Sequence, residues 1–252
     1  MIVFDNVFKA FGPKKVLNGL SFEVKKGEIF FMLGRSGTGK SVSLKQLVGL
    51  LKPDTGRILL DDQEIQNFSE DEFAPIRRKC GIVFQLPALL DSRTVFENIT
   101  FGIRDIPLKD QIERAKKILP EVNLPDLVPI MSLRYPPQLS YGEQKRLALA
   151  RTLLVDPSYV LYDEPTTGLD PITSRSVHDL IKSVSRNLGK TSIVVSHDMR
   201  NALKTADRIV VLDAGRVVDS GTPKEILNSK VQLTCDFLKD LKDDVEFSGA
   251  LS

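Results

Sequence analysis

Apolar positions along the chain follow two rhythms. From residue 1 to about 85 they come in short β-rich runs (VLNGLSFEV, EIFFML, GRILLDD, CGIVF) broken by turn signals such as KKGE and KPDTG. One helix is predicted here, over roughly 40–50, after a glycine-rich stretch. From about 86 to 157 the spacing changes. LKDQIERAKKILPEV and YGEQKRLALARTLLV place apolar residues three and four apart and predict helices, with prolines at 120, 125, 129, 136 and 137. From 158 onward SYVLYDEP, TSIVVSH and RIVVLDAGRVVDSG read as strands separated by helices. Strands alternating with helices predict a parallel, doubly wound α/β sheet, and the middle region reads as an inserted helical subdomain. There is no internal repeat. The end, LKDDVEFSGALS (241–252), is expected to be a flexible tail to a single domain over 1–240.

Composition changes this picture little. The 252 residues are 42% hydrophobic and 27% charged, with a net charge of +2, so nothing in the balance demands nucleic acid. Cys80 and Cys235 lie far apart without ligand spacing and fit a reducing compartment. No run reaches the eighteen or so apolar residues of a membrane span. The expectation is a cytoplasmic protein that would act at a membrane only by docking onto something that spans it.

Candidate chemistry begins at GRSGTGKS, residues 34–41, between a predicted strand and a predicted helix. Gly34, Gly39, Lys40 and Ser41 fit a loop whose backbone N–H groups cradle phosphates at a helix start. Lys40 would reach the β- and γ-phosphates, and the Ser41 hydroxyl would bind Mg²⁺. Such a loop serves kinases, GTPases and ATPases alike.

The strand YVLYDE ends in two carboxylates. Asp163 suits Mg²⁺ coordination, and Glu164 is placed to polarise an attacking water. His197 closes another predicted strand, where open α/β sheets build their sites, and could bond a γ-phosphate oxygen. Gln85, just past CGIVF, could contact both Mg²⁺ and the water. The second histidine, His178, lies in a predicted amphipathic helix and reads as a surface residue.

These residues resemble the ATP-binding cassette (ABC) ATPases over nearly the whole chain. Residues 34–41 (Gly34, Arg35, Ser36, Gly37, Thr38, Gly39, Lys40, Ser41) look like the Walker A loop, and YVLYDE like the Walker B strand. Gln85 looks like the Q-loop glutamine, His197 like the switch histidine, and TGLD, ending at Asp170, like the D-loop. LSYGEQKR (139–146) resembles the family's signature sequence. The resemblance implies a P-loop NTPase cassette: an α/β fold with a RecA-like mixed or parallel sheet core, an antiparallel β subdomain and an inserted α-helical subdomain. It also implies a homodimer binding ATP and Mg²⁺, with Ser140, Gly142 and Asp170 contributed in trans and Phe11 stacking on adenine. Two departures stand out. Tyr141 replaces the usual first glycine of the signature, and Asp62 sits where the family commonly turns a hairpin on Gly.

The stretches GKSVSLKQLVGLLKPDTG and PALLDSRTVFENITFGIRD look most like the ATPases of MCE-type (Mla-like) phospholipid transport systems. That likeness implies permease subunits, an MCE-domain substrate-binding protein, a small cytoplasmic accessory subunit, and a peripheral place on the cytoplasmic face of the inner membrane. An ATPase for a small-solute importer, or a soluble cassette such as one in iron–sulfur cluster assembly, stays open beside it.

Overall fold

The structure, a computed structural model, describes residues 1–242, so the expected tail lies outside the described residues but for its first two positions. Among the described residues the chain runs β1 (Ile2–Phe11), β2 (Lys14–Val24), β3 (Ile29–Gly34), α1 (Lys40–Leu47), β4 (Thr55–Leu60), β5 (Gln63–Glu64), α2 (Glu70–Lys79) and β6 (Cys80–Val83). It continues through α3 (Val95–Ile99), α4 (Leu108–Glu121), α5 (Tyr141–Leu154), β7 (Tyr159–Asp163), α6 (Pro171–Asn187) and β8 (Thr191–Ser196). It ends with α7 (Met199–Thr205), β9 (Arg208–Asp213), β10 (Arg216–Gly221), α8 (Pro223–Leu227) and α9 (Gln232–Lys242). Contacts divide the described residues into two compact units, 1–73 with those from 193 onward, and 74–192.

The first unit holds two sheets. One is antiparallel, in the order β2-β1-β4-β5. The sequence names no strand before Val16, yet β1 is its centre. Its alternation is broken because Asn6 sits at φ 50 and the pairing with β2 shifts between Phe4 and Val7, so period-two reading fails there. Asp61 and Asp62 turn the β4–β5 hairpin at φ 50 and 66, the left-handed pair that acidic residues tolerate in such turns. The other sheet runs β10-β9-β3-β8 within this unit, with β3 parallel to β9. β10 is antiparallel to β9, because Ala214 and Gly215, at φ 44 and 76, close RIVVLDAGRVVDSG into a hairpin. The sheet is therefore mixed, not purely parallel. Every residue of β3 is buried.

In the second unit β6 pairs parallel with β7, and β7 is buried throughout. The helices predicted between 86 and 157 are present as α4 and α5, with the short α3 before them. The helix α2, with Pro75 inside it, was not legible. Helix α6 buries Val177, Leu180, Ile181 and Val184, and His178 with them. At 3% exposure His178 is a core residue, which corrects its reading as a surface one.

Candidate nucleotide site

In the first unit β3 delivers the glycine-rich loop to the start of α1. Gly39 sits at φ 104, and a Cβ there would meet Leu17 Cδ2 at 2.4 Å and the Val16 carbonyl oxygen at 2.9 Å, so only glycine fits. Lys40 is buried. Its ammonium donates to the carbonyls of Gly34, at 2.7 Å, and Arg35, at 3.1 Å, while the Thr38 hydroxyl donates to the Arg35 carbonyl at 2.9 Å. Arg35, Ser36 and Gly37 are exposed at the crest, and Ser41 is half-buried. The lysine thus holds the loop curled around itself.

His197 is exposed just past β8, followed by Asp198, which caps α7 by accepting from the Asn201 N–H at 3.0 Å. Phe11 is 46% exposed at the end of β1, with the Lys9 ammonium 5.6 Å from its ring centre. An aromatic left this open has an unused face for stacking.

In the second unit Asp163 is the last, buried residue of β7. Glu164 follows at φ 49, a left-handed conformation that a glutamate rarely adopts. The Thr167 hydroxyl donates to Glu164 Oε2 at 3.4 Å, and the Thr167 N–H to the Glu164 carbonyl at 3.3 Å. Lys145, on α5, donates to the carbonyls of Pro165, at 2.9 Å, and Thr167, at 2.8 Å. Burial pushes the Lys145 pKa down to about 8, partly opposed by the charge of Glu164.

Ser140 caps α5 in a capping box. Its hydroxyl donates to Glu143 Oε2 at 2.6 Å, its oxygen accepts from the Glu143 N–H at 3.3 Å, and its N–H donates to Glu143 Oε2 at 2.8 Å. The Ser140 hydroxyl holds the Glu143 carboxyl below its ordinary pKa.

Asp170 caps α6, accepting from the N–H groups of Ile172 and Thr173 at 3.0 Å and from the Thr173 hydroxyl at 2.5 Å; these bonds, that hydroxyl first, lower its pKa. The methyl of the same Thr173 stands 2.9 Å from where a Cβ on Gly142 would be. Glycine at 142 therefore has a reason inside its own chain.

Gln85 is exposed past β6, and the Tyr141 hydroxyl donates to its carbonyl at 3.4 Å. The Tyr141 ring centre lies 5.1 Å from the Lys145 ammonium, and the ring edge would lie 3.4 Å from a Cβ on Gly168. The side chain at the signature's departure thus lies beside Lys145 of its own helix and reaches the segment after β6.

The second unit thus gathers Gln85, Ser140, Gly142, Asp163, Glu164 and Asp170, while Phe11, the loop 34–41 and His197 belong to the first. Sequence reasoning missed Lys145 and Thr167. Lys145 lies one turn before the buried Leu149, so its i,i+4 place on the apolar stripe was the available signal.

Comparison with known proteins gives the family. Residues 17–167 match the ABC transporter family, and the chain belongs to it. It is 36% identical over 257 aligned positions to the methionine import ATP-binding protein MetN of Rhizobium johnstonii, covering all of this chain and 70% of that protein. It is 38% identical to the glycine betaine/carnitine/choline transport ATP-binding protein OpuCA of Bacillus subtilis, over 91% of this chain and 60% of that one. Two solved structures of the cassette MJ0796 superpose on 88% of this chain and 99% of theirs. One is dimeric, with a TM-score of 0.80 at 31% identity; the other, a post-hydrolysis state bound to ADP and Pi, has 0.79 at 32%. The protein is an ATP-binding ABC ATPase, and it spans 58–70% of the length of the curated relatives it matches.

Proposed function

We propose that this chain is the ATP-hydrolysing subunit of a membrane importer for small polar solutes. The observation that carries the reading is its 36–38% identity, over 91–100% of its length, to ATP-binding subunits for methionine and glycine betaine. These relatives support the importer alternative better than the MCE-type lipid reading. The lipid reading rests on the likeness of 39–56 and 87–105 alone, and with it stand the MCE-domain protein and the accessory subunit.

The residues divide the work as follows. Lys40 exchanges its bonds to neutral loop carbonyls for bonds to phosphate oxygens, in which both partners are charged. Because the lysine is already aimed along the loop, this needs little reorganisation. The N–H groups from Arg35 to Ser41 turn toward the phosphates, and Phe11 stacks on adenine. Glu164 accepts the proton of the attacking water, and His197 orients the γ-phosphate. Ser140, Gly142 and Asp170 serve the partner copy of a homodimer. Ser140 must then redirect the proton it now gives to Glu143.

The first unit offers the Ser41 hydroxyl and the second the Asp163 carboxylate and the Gln85 amide oxygen; all are hard oxygen donors, the chemistry that Mg²⁺ takes. When bound, Mg²⁺ would neutralise charge on the β- and γ-phosphates.

The importer reading calls for a partner that spans the membrane; no helix among the described residues is long and apolar enough to cross one. The segment after Gln85 is built to receive it at the cytoplasmic face. Leu86, 69% exposed, Leu90 and Phe101 are presented to solvent. The buried Asn98 amide ties the backbone at Leu90, Arg93 and Thr94, and Arg151 donates to the carbonyls of Pro87 and Ala88. An apolar surface on a segment held by these bonds loses little entropy on docking.

Uptake of labelled methionine and glycine betaine by a strain lacking this chain, and by the strain with it restored, is the test. Loss of one uptake on deletion and its return supports the reading. Intact uptake of both, with a defect in outer-membrane phospholipid, would favour the lipid system instead.

A further inference from the structure

We infer that Lys145, covered by Tyr141, positions the turn that carries Glu164. The inference rests on the reading of Glu164 as the general base. Residues 164–167 form one turn, and Lys145 grips two of its carbonyls, those of Pro165 and Thr167, on either side of Thr166. Thr167 passes that grip on, since its hydroxyl and its N–H both bond Glu164. A non-glycine residue at φ 49 stays there only where its surroundings over-determine the conformation, and these contacts do so.

The chemistry of Lys145 fits positioning better than packing. Lys145 is only 6% exposed, so its ammonium has lost much of its hydration, and the bonds it makes in return go to the neutral carbonyls of Pro165 and Thr167. A methionine would fill the same space without that cost. What the lysine adds is two directed donors to the base-bearing turn and a positive charge toward Glu164. The Tyr141 ring presents its face 5.1 Å from the ammonium, and its hydroxyl reaches the Gln85 carbonyl. The first residue of α5 thereby joins the segment after β6, the lysine and the turn after β7. The departure at 141 is part of this fixture.

The test compares Lys145→Met and Lys145→Gln in the full chain by steady-state ATPase rate and by ATP titration. Lys145→Met removes the donors and should lower kcat at least about tenfold with ATP affinity within about twofold, the pattern of a misplaced reacting group. Lys145→Gln restores two donors and should keep kcat within about fivefold of wild type. Full kcat in the Met variant, an equal loss of affinity, or a Gln variant as slow as the Met variant would each overturn the inference. If Lys145→Met does not fold, Thr167→Val carries the test. It deletes the hydroxyl that reaches Glu164 and should show the same loss in kcat alone; an unchanged kcat overturns the inference. In a Glu164→Gln background Lys145→Met should cost less than about twofold more, because both act on one step. A full further tenfold loss there would place Lys145 elsewhere and overturn it. Normal turnover by Glu164→Gln alone would instead sink the general-base reading.

Discussion

Gly142→Ala separates the reason for this glycine inside its own chain from any role toward a partner copy. The new methyl would stand 2.9 Å from Thr173 Cγ2, closer than two such carbons approach. Thr173 cannot rotate away freely, because its hydroxyl is bonded to Asp170 at 2.5 Å. Forcing it off its rotamer costs about 1 kcal/mol, and losing the bond to Asp170 costs about 1 kcal/mol more. Against this, alanine is the better helix former by up to ~1 kcal/mol at this second position of α5. The net expectation is a loss of about 1 kcal/mol. Thr173→Ser deletes the offending methyl and keeps the hydroxyl. In that background Gly142→Ala should turn stabilising, by roughly 0.5 to 1 kcal/mol, an interaction between the two sites of about 2 kcal/mol. Urea denaturation of the four proteins at unchanged slope measures it. The same effect of Gly142→Ala in both backgrounds would refute the steric argument.

Leu90→Glu and Leu86→Glu change exposed side chains, so stability should move by no more than about 0.5 kcal/mol while co-purification with a membrane partner is lost; precipitation of either variant would show that the segment is core, not docking surface. Stability should also carry the mark of Lys145. Its pKa falls from 10.5 in the unfolded chain to about 8 in the fold, so the unfolded chain binds more protons between those values. Wild type should therefore gain stability relative to Lys145→Met as pH rises from 8 toward 10.5, with no relative change below 8. A difference between their urea midpoints that stays flat across that window would contradict the depressed pKa.

The loop 34–41 and the strand YVLYDE were legible because each couples a continuous apolar run to residues whose chemistry is narrow. β3 and β7 are buried at every position, so their sequences show no competing polar face. β1 was hidden because Asn6 and the register shifts beyond it break the alternation. α2 was hidden because its residues EDEFAPIRRK are mostly charged and interrupted by Pro75. His178 and Lys145 share one physical cause. Helical period marks which arc of a helix is apolar, but not which polar residues at its border are drawn inside. His178 lies beside Val177 on the buried face of α6, and only packing reveals it. Lys145 is drawn in by carbonyls twenty and twenty-two residues away, which no local pattern contains. The same holds for the contact of Thr173 with Gly142.

Glu164→Gln tests the central claim most directly. The amide keeps the shape and hydrogen-bonding capacity of the side chain but cannot take the proton of the attacking water. Purified Glu164→Gln with ATP and Mg²⁺, followed by gel filtration and phosphate release, should elute as a closed dimer. It should release phosphate at least ~100-fold more slowly than wild type, the scale of losing a general base. Lys40→Ala, unable to hold the phosphates, should remain monomeric under the same conditions. A Glu164→Gln protein that turns over ATP at the wild-type rate, or that stays monomeric with saturating ATP, would contradict the account.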